Sequence, residues 1–189
     1  MSSRPGPKPL LTQETVVEAA LELVDAEGLS ALNLRKLAAR LGVSAMTPYN
    51  YFADKTQLLG AMTVHALAAL RVDPDDDARW DDRLELAMRG MHEALEKHPG
   101  VIELIMSEDD SDGSRIDEFR RGMIAMLTSG GLSREQSIQS LRTLTSYVLG
   151  YTMLTRLRAT SPADPPATPA DFDHGLEQLL SAIRAEAGP

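Results

Sequence analysis

The 189-residue chain contains no cysteine, which excludes a disulfide framework, a thiolate zinc site and a thiol nucleophile. No apolar run approaches the length of a membrane span. The N-terminus is polar and proline-rich, without the apolar stretch of a signal peptide. These absences suit a cytoplasmic protein with no membrane partner. Glycine-rich phosphate loops are missing, and Gly130-Gly131 is a helix stop. Serines fall at helix caps instead of on a strand-to-helix elbow. His65, His92, His98 and His174 are scattered. His92 and Glu93 are adjacent, so they point to different sides of a helix and do not form a metal pair. Asp73-Pro74-Asp75-Asp76-Asp77 lacks the glycine and spaced glutamate of a calcium loop and reads as a solvated linker. There is no internal repeat and no strand pattern. The sequence therefore predicts no catalytic residue, no metal site and no cofactor.

What it does contain is helical periodicity and one basic island in an acidic chain. The net charge is −9, yet residues 1–55 carry six bases and six acids, so the acidic excess lies wholly beyond them. Between Leu29 and Lys55 four bases, Arg35, Lys36, Arg40 and Lys55, stand against one acid, Asp54. Such an island points to contact with a polyanion. In the same stretch Leu34, Leu37, Ala38 and Leu41 form the apolar face of a short helix. Asn33 caps it and Gly42 stops it, since glycine alone takes positive φ without a Cβ penalty. Ser44 opens a second short helix presenting Thr47, Tyr49, Asn50 and Tyr51. Two short helices across a glycine turn are a helix-turn-helix pattern, whose hydroxyl- and amide-rich face suits phosphates and base edges. A solvated helix pair in any all-α domain has the same periodicity.

These residues resemble the tetracycline-repressor (TetR) family of bacterial regulators. The resemblance is carried by Gly28-Leu29, Leu34-Arg35-Lys36-Leu37-Ala38, Leu41-Gly42-Val43-Ser44, Tyr49-Asn50-Tyr51-Phe52 and Asp54-Lys55 with Leu58-Leu59. It covers the first third of the chain; the remainder matches in length and helix pattern. It implies an all-α homodimer: an N-terminal three-helix helix-turn-helix DNA-binding domain, then a helical-bundle ligand-binding and dimerisation domain. Pro48 departs from relatives that carry an aliphatic residue there, and leaves the start of the recognition helix open. The resemblance also places Arg35 near a base, and Lys36, Thr47, Tyr49, Asn50, Tyr51 and Lys55 with it at the DNA.

Residues 1–10 form a flexible basic arm, either a minor-groove contact or a plain tail. Residues 11–55 are the expected DNA-binding domain and 56–189 the effector-binding and dimerisation domain. Thr12 caps the first helix, with Val17, Ala20, Leu21 and Val24 facing inward. Phe52 closes the motif as core. Asp54 and Gln57 have capping-box spacing for a helix running to about Arg71. Further helices cover Trp80 to His98, Val101 to Met106, Ile116 to Leu127 and Ser133 to Ala159, the last opened by a Ser133/Gln136 box. Ser161 to Asp171 reads as a proline-rich loop, and Phe172, Leu176, Leu179, Leu180 and Ile183 as the stripe of a final amphipathic helix.

The body is rich in methionine on successive helices, which is either ordinary core or the wall of an adaptable apolar pocket. Candidate effector contacts are Met62, His65, Met88, Met91, His92, Met106, Met123, Tyr147 and Tyr151. His65, on the apolar side of its helix, reads as a buried, satisfied histidine before it reads as a ligand contact. The resulting expectation is a dimeric repressor released from palindromic double-stranded DNA by a small apolar or amphipathic effector. Two alternatives stay open: a DNA-binding regulator without an effector, and a helical small-molecule-binding or enzymatic domain.

Overall fold

The computed structural model describes residues 11–66, 78–107, 115–158 and 168–188; at 106, 107, 115, 116 and 158 it describes the backbone alone. Within them the chain is all α: α1 (Gln13–Glu27), α2 (Leu34–Leu41), α3 (Lys55–Ala66), α4 (Trp80–Lys97), α5 (Val101–Ser107), α6 (Arg115–Ser129), α7 (Arg134–Arg158) and α8 (Pro169–Ala187). No strand occurs among the described residues. The expected residues 67–71 of the third helix, the acidic run and the proline-rich loop up to residue 167 lie outside the described part.

The helix starts are set locally, by side chains meeting the free N–H groups of the first turn. Thr12 accepts from the Thr15 N–H, and the Thr15 hydroxyl in turn accepts from the Thr12 N–H. Asn33 accepts from the Lys36 N–H at 2.8 Å. The box at Ser133 and Gln136 closes in both directions. At α3, Asp54 accepts from the Gln57 N–H at 2.8 Å, but the return bond from Gln57 reaches the Ala53 N–H, one residue further back than the box requires. α8 begins earlier than its apolar stripe suggests. Thr168 caps it, the Asp171 carboxylate accepts from the Thr168 N–H, and Pro169 occupies the first helical position. Proline is at home there because its missing N–H would have been unpaired anyway.

The second helix of the motif is the main departure. Instead of an α-helix the chain makes a 3₁₀ turn, Pro48–Asn50. The N–H groups of Thr47, Tyr49, Asn50 and Tyr51 all go to carbonyls three residues back, and only Phe52 reaches four back. Pro48 is the physical reason, since it cannot donate to the Ser44 carbonyl. Ser44 does not cap this turn through a backbone N–H. Its hydroxyl is 2.9 Å from that of Thr47.

One core runs through both parts of the molecule. Val16, Val17, Ala20 and Leu21 of α1, Leu34 and Leu37 of α2, Phe52, and Leu58 and Met62 of α3 fill the N-terminal part. Burying each of these side chains larger than alanine is worth about 1.5–3 kcal/mol. α3 packs against α1 on one side and against α5 and α6 on the other, so it joins the two parts. α4 packs on α6, α7 and α8, and α7 packs on α8. Asp81, at the start of α4 and 4% exposed, binds Arg79 and the Arg184 guanidinium of α8 at 2.8 Å. The Arg79 hydrogen bond, aided by Arg184 against the cost of burial, holds the Asp81 carboxyl at about 2.

Candidate nucleic-acid interface and body clefts

Gly42 turns the chain between α2 and the 3₁₀ turn at φ +66°, in the left-handed region, with open space where a Cβ would sit. The turn places Tyr49, which is 47% exposed, and Asn50 on the outer surface. Arg35 on α2 and Lys55 at the start of α3 are also exposed, and neither has a side-chain partner among the described residues. Lys55 sits on the capped N-terminus of α3, where free N–H groups and the helix dipole favour an anion.

The other three predicted contacts are placed differently. Lys36 is paired with Glu27 of α1, as Arg40 is with Glu22 at 3.1 Å. The acids of α1 thus lean over α2 and offset two of the four cations in the basic island. Thr47 is half-buried and faces Ser44. The Tyr51 hydroxyl donates to the Leu11 carbonyl at 2.7 Å, so its polar end is spent inside the protein. One exposed residue was missed by the sequence reading: Met46, 67% exposed at the tip of the turn. Residue type argued for core, and only the position of the tight turn reverses that.

Among the clefts that the described residues of the body form, two bear on the effector candidates. The first, of about 290 Å³, lies between α4, α5, α6 and α7 and is lined by Met91, Ile105, Phe119, Ile124, Ile138 and Leu141, with Arg120, Arg142, Thr145 and Ser146. The second, of about 380 Å³, lies between α4, α7 and α8. There His92 stacks on Phe172 with ring centroids 4.0 Å apart. Thr152 donates its only proton to the Val148 carbonyl, so the His92 ring donates to Thr152 through Nδ1. Burial pushes the His92 pKa down and keeps the ring neutral, against the pull of Glu96, Glu93 and Asp173.

The clefts redistribute the candidate effector residues. Met91 lines the first cleft; His92 and Tyr151 line the second. Met62, Met88 and Met123 are completely buried core and line neither. His65 is half-buried outside both. The Met106 side chain lies outside the described residues. Tyr147 and Tyr151 donate to the Phe172 and Thr168 carbonyls at 2.9 and 3.0 Å, bracing the start of α8 instead of offering free hydroxyls. Burial raises both phenols above their ordinary pKa.

Comparison with known proteins decides what the reading face belongs to. Residues 16–62 match the family described as bacterial regulatory proteins, tetR family, and residues 73–187 match the tetracyclin repressor-like C-terminal domain. The chain belongs to the TetR family. As such it is a DNA-binding transcriptional regulator of helix-turn-helix type. It is similar to the HTH-type transcriptional repressor DrrR1 of Streptomyces coeruleorubidus, 31% identical over 182 residues that span 95% of this chain and 67% of the relative. Among solved structures, BioQ of Mycobacterium smegmatis superposes with a TM-score of 0.68 at 30% identity, covering 93% of this chain and 99% of that one. BioQ has also been solved with its double-stranded DNA operator, at a TM-score of 0.65 and 30% identity over the same shares. A single-residue variant of TetR from Acinetobacter baumannii AYE, in complex with minocycline, superposes with a TM-score of 0.69 at 25% identity, covering 95% and 99%. No helix among the described residues is long and apolar enough to cross a membrane.

Proposed function

We propose that this TetR-family regulator is a homodimeric cytoplasmic repressor, released from a palindromic operator when a small molecule fills the cleft between α4 and α7. No catalytic step is assigned to it. Residues 11–55 serve as the reading head, and the remainder binds the effector and the second copy. DNA-bound BioQ and minocycline-bound TetR support both halves of the reading by similarity. The observation that carries the coupling is the position of α5. Ile105 lines the cleft, while Val101 and Leu104 on the same helix are completely buried and α5 packs on both α3 and α1. Glu103 of α5 accepts from the Leu29 N–H at 2.8 Å, and Asp25 of α1 accepts from the Gly100 N–H at 2.8 Å and meets His98 Nδ1 at 2.9 Å. A ligand that displaces Ile105 moves an element tied to the reading head, and it shifts the population only by favouring one head position over the other.

At the DNA, Arg35 reads a guanine and Asn50 a base edge, Tyr49 and Thr47 contact phosphates, Met46 meets a thymine methyl, and Lys55 holds a phosphate on the α3 N-terminus. Lys36 and Tyr51 act through position: Lys36 exchanges its weak exposed pair with Glu27 for a phosphate, and Tyr51 anchors the arm at Leu11. The test is a salt titration on a duplex selected from a random pool and on an unselected duplex. Arg35→Ala should cost about 1–3 kcal/mol on the selected duplex and little on the other. Lys55→Ala should weaken both and reduce the salt slope by roughly one unit. Equal losses for Arg35→Ala on both duplexes make it a backbone contact. No change from either variant removes this face from the DNA.

A further inference from the structure

We infer that the α4–α7 cleft selects an amphipathic anion, an apolar body ending in a carboxylate, and that Arg142 is the residue that reads the charge. This rests on the cleft being the effector site. Six apolar side chains line it, and no acidic side chain does so among the described residues, in a protein whose net charge is −9. The second cleft shows the contrast, since Glu93, Glu96 and Asp173 line it.

The polar groups of the first cleft are grouped. Arg142, Thr145 and Ser146 stand at i, i+3 and i+4 of α7, hence on one face, next to Ile138 and Leu141. None of the three has a side-chain hydrogen bond or ion pair among the described residues. Other hydroxyls on α7 are spent on the helix: Thr143, Thr152 and Thr155 each donate to the carbonyl four residues back. Arg120, the other cation of the lining, is paired with Asp117, which also takes Arg121. The free donors are therefore one guanidinium and two hydroxyls around an apolar floor. A guanidinium fork matches a carboxylate in a bidentate pair, and the hydroxyls supply the remaining donors. A ligand amine would meet Arg142 with like charge, and a neutral alcohol would leave the guanidinium without a carboxylate.

Three probes with one body separate these cases: 4-phenylbutyrate, 4-phenylbutanol and 4-phenylbutylamine, titrated into the full chain by calorimetry. The acid should bind about tenfold or more tighter than the alcohol, the step one charge-assisted hydrogen bond supplies, and the amine weakest. Arg142→Gln, an exposed helix position that leaves the fold alone, should erase the preference of acid over alcohol while the alcohol binds as before. Ile124→Trp, which fills the cleft, should abolish binding of the acid. Equal or tighter binding of alcohol or amine, no binding of the acid, an intact preference in Arg142→Gln, or intact acid binding in Ile124→Trp each overturns the inference. Retention of the selected duplex is read in parallel. If the acid binds through Arg142 and the duplex stays bound, the ligand class stands and the release mechanism fails. If the duplex is bound normally and no acid enters the cleft, the ligand class fails and the DNA reading stands.

Discussion

Asp81 shows how much a single buried charge depends on its neighbours. Its carboxyl is almost fully enclosed, and burial alone would raise its pKa; the hydrogen bonds from Arg79 and Arg184 lower it to about 2. A carboxyl depressed below its unfolded value stabilises the fold above that unfolded value, near pH 4, and loses the contribution as pH falls towards 2. Arg79 is largely exposed, so solvent screens its share of that stabilisation, and the better-enclosed Arg184 carries the rest. Denaturant melts of wild type and Asp81→Asn at neutral pH and at steps down to pH 2 should show a gap that closes as the acid limit is approached. A gap that is constant with pH assigns the loss to packing. His92 moves stability in the same sense, since a neutral buried ring resists protonation as pH falls.

At the scale of elements, the corner between α4 and α5 is held against α1 by three contacts from two side chains. Asp25 takes His98 and the Gly100 N–H, and Glu103 takes the Leu29 N–H. The corner sits so close that a Cβ on Gly100 would lie 2.5 Å from Val24 Cγ1 and 3.1 Å from the Val24 backbone carbon. Asp25→Ala leaves a buried histidine and a backbone donor unpaired and should cost about 1–3 kcal/mol. Hydrogen exchange should then quicken at residues 98–103 and 25–29 while α7 keeps its protection. Gly100→Ala should produce the same local loosening by pushing the corner outward, at about 1–3 kcal/mol. Unchanged exchange in both variants would show that the Asp25 contacts do not hold the corner.

For the whole molecule, dimerisation has to use surface that the protomer leaves uncovered. The stripe of α8 is not that surface: Leu176 and Leu180 lie in the protomer core and Leu179 is half-buried against it. Leu180→Glu therefore unfolds the chain and says nothing about assembly. Met153, Leu154 and Leu157, at the end of α7, are 45%, 51% and 67% exposed and give a second copy an apolar seam. Light scattering should give twice the chain mass for wild type, and Leu154→Glu with Leu157→Glu should halve it. That variant should also lose the selected duplex far more than the unselected one, because the two half-sites no longer bind together. A wild-type monomer excludes the dimer, and a dimer that survives both substitutions places the interface elsewhere.

Most of the fold was legible because helices are specified over three or four residues. The caps at Thr12, Asn33 and Ser133, the stop at Gly42 and the inward stripes of α1 and α2 are local facts, and the structure has them where the spacing put them. Pro169 belongs to a proline-rich stretch that reads as loop, yet it opens α8, because a proline loses nothing as a first helical residue. The 3₁₀ turn at Pro48 follows from a missing donor, which the sequence also carries. What the chain order could not supply is which groups remain free. Glu22 and Glu27 offset Arg40 and Lys36 from another helix, α8 consumes the hydroxyls of Tyr147 and Tyr151, and Met62, Met88 and Met123 point into core while Met91 meets a cleft. The partners in the polar pairs lie 9 to 25 residues away, and the latch on Asp25 spans 73 and 75. Local periodicity decides that a helix forms and which face is apolar; only tertiary packing decides what that face meets, and so which charges and hydroxyls are left for DNA and ligand.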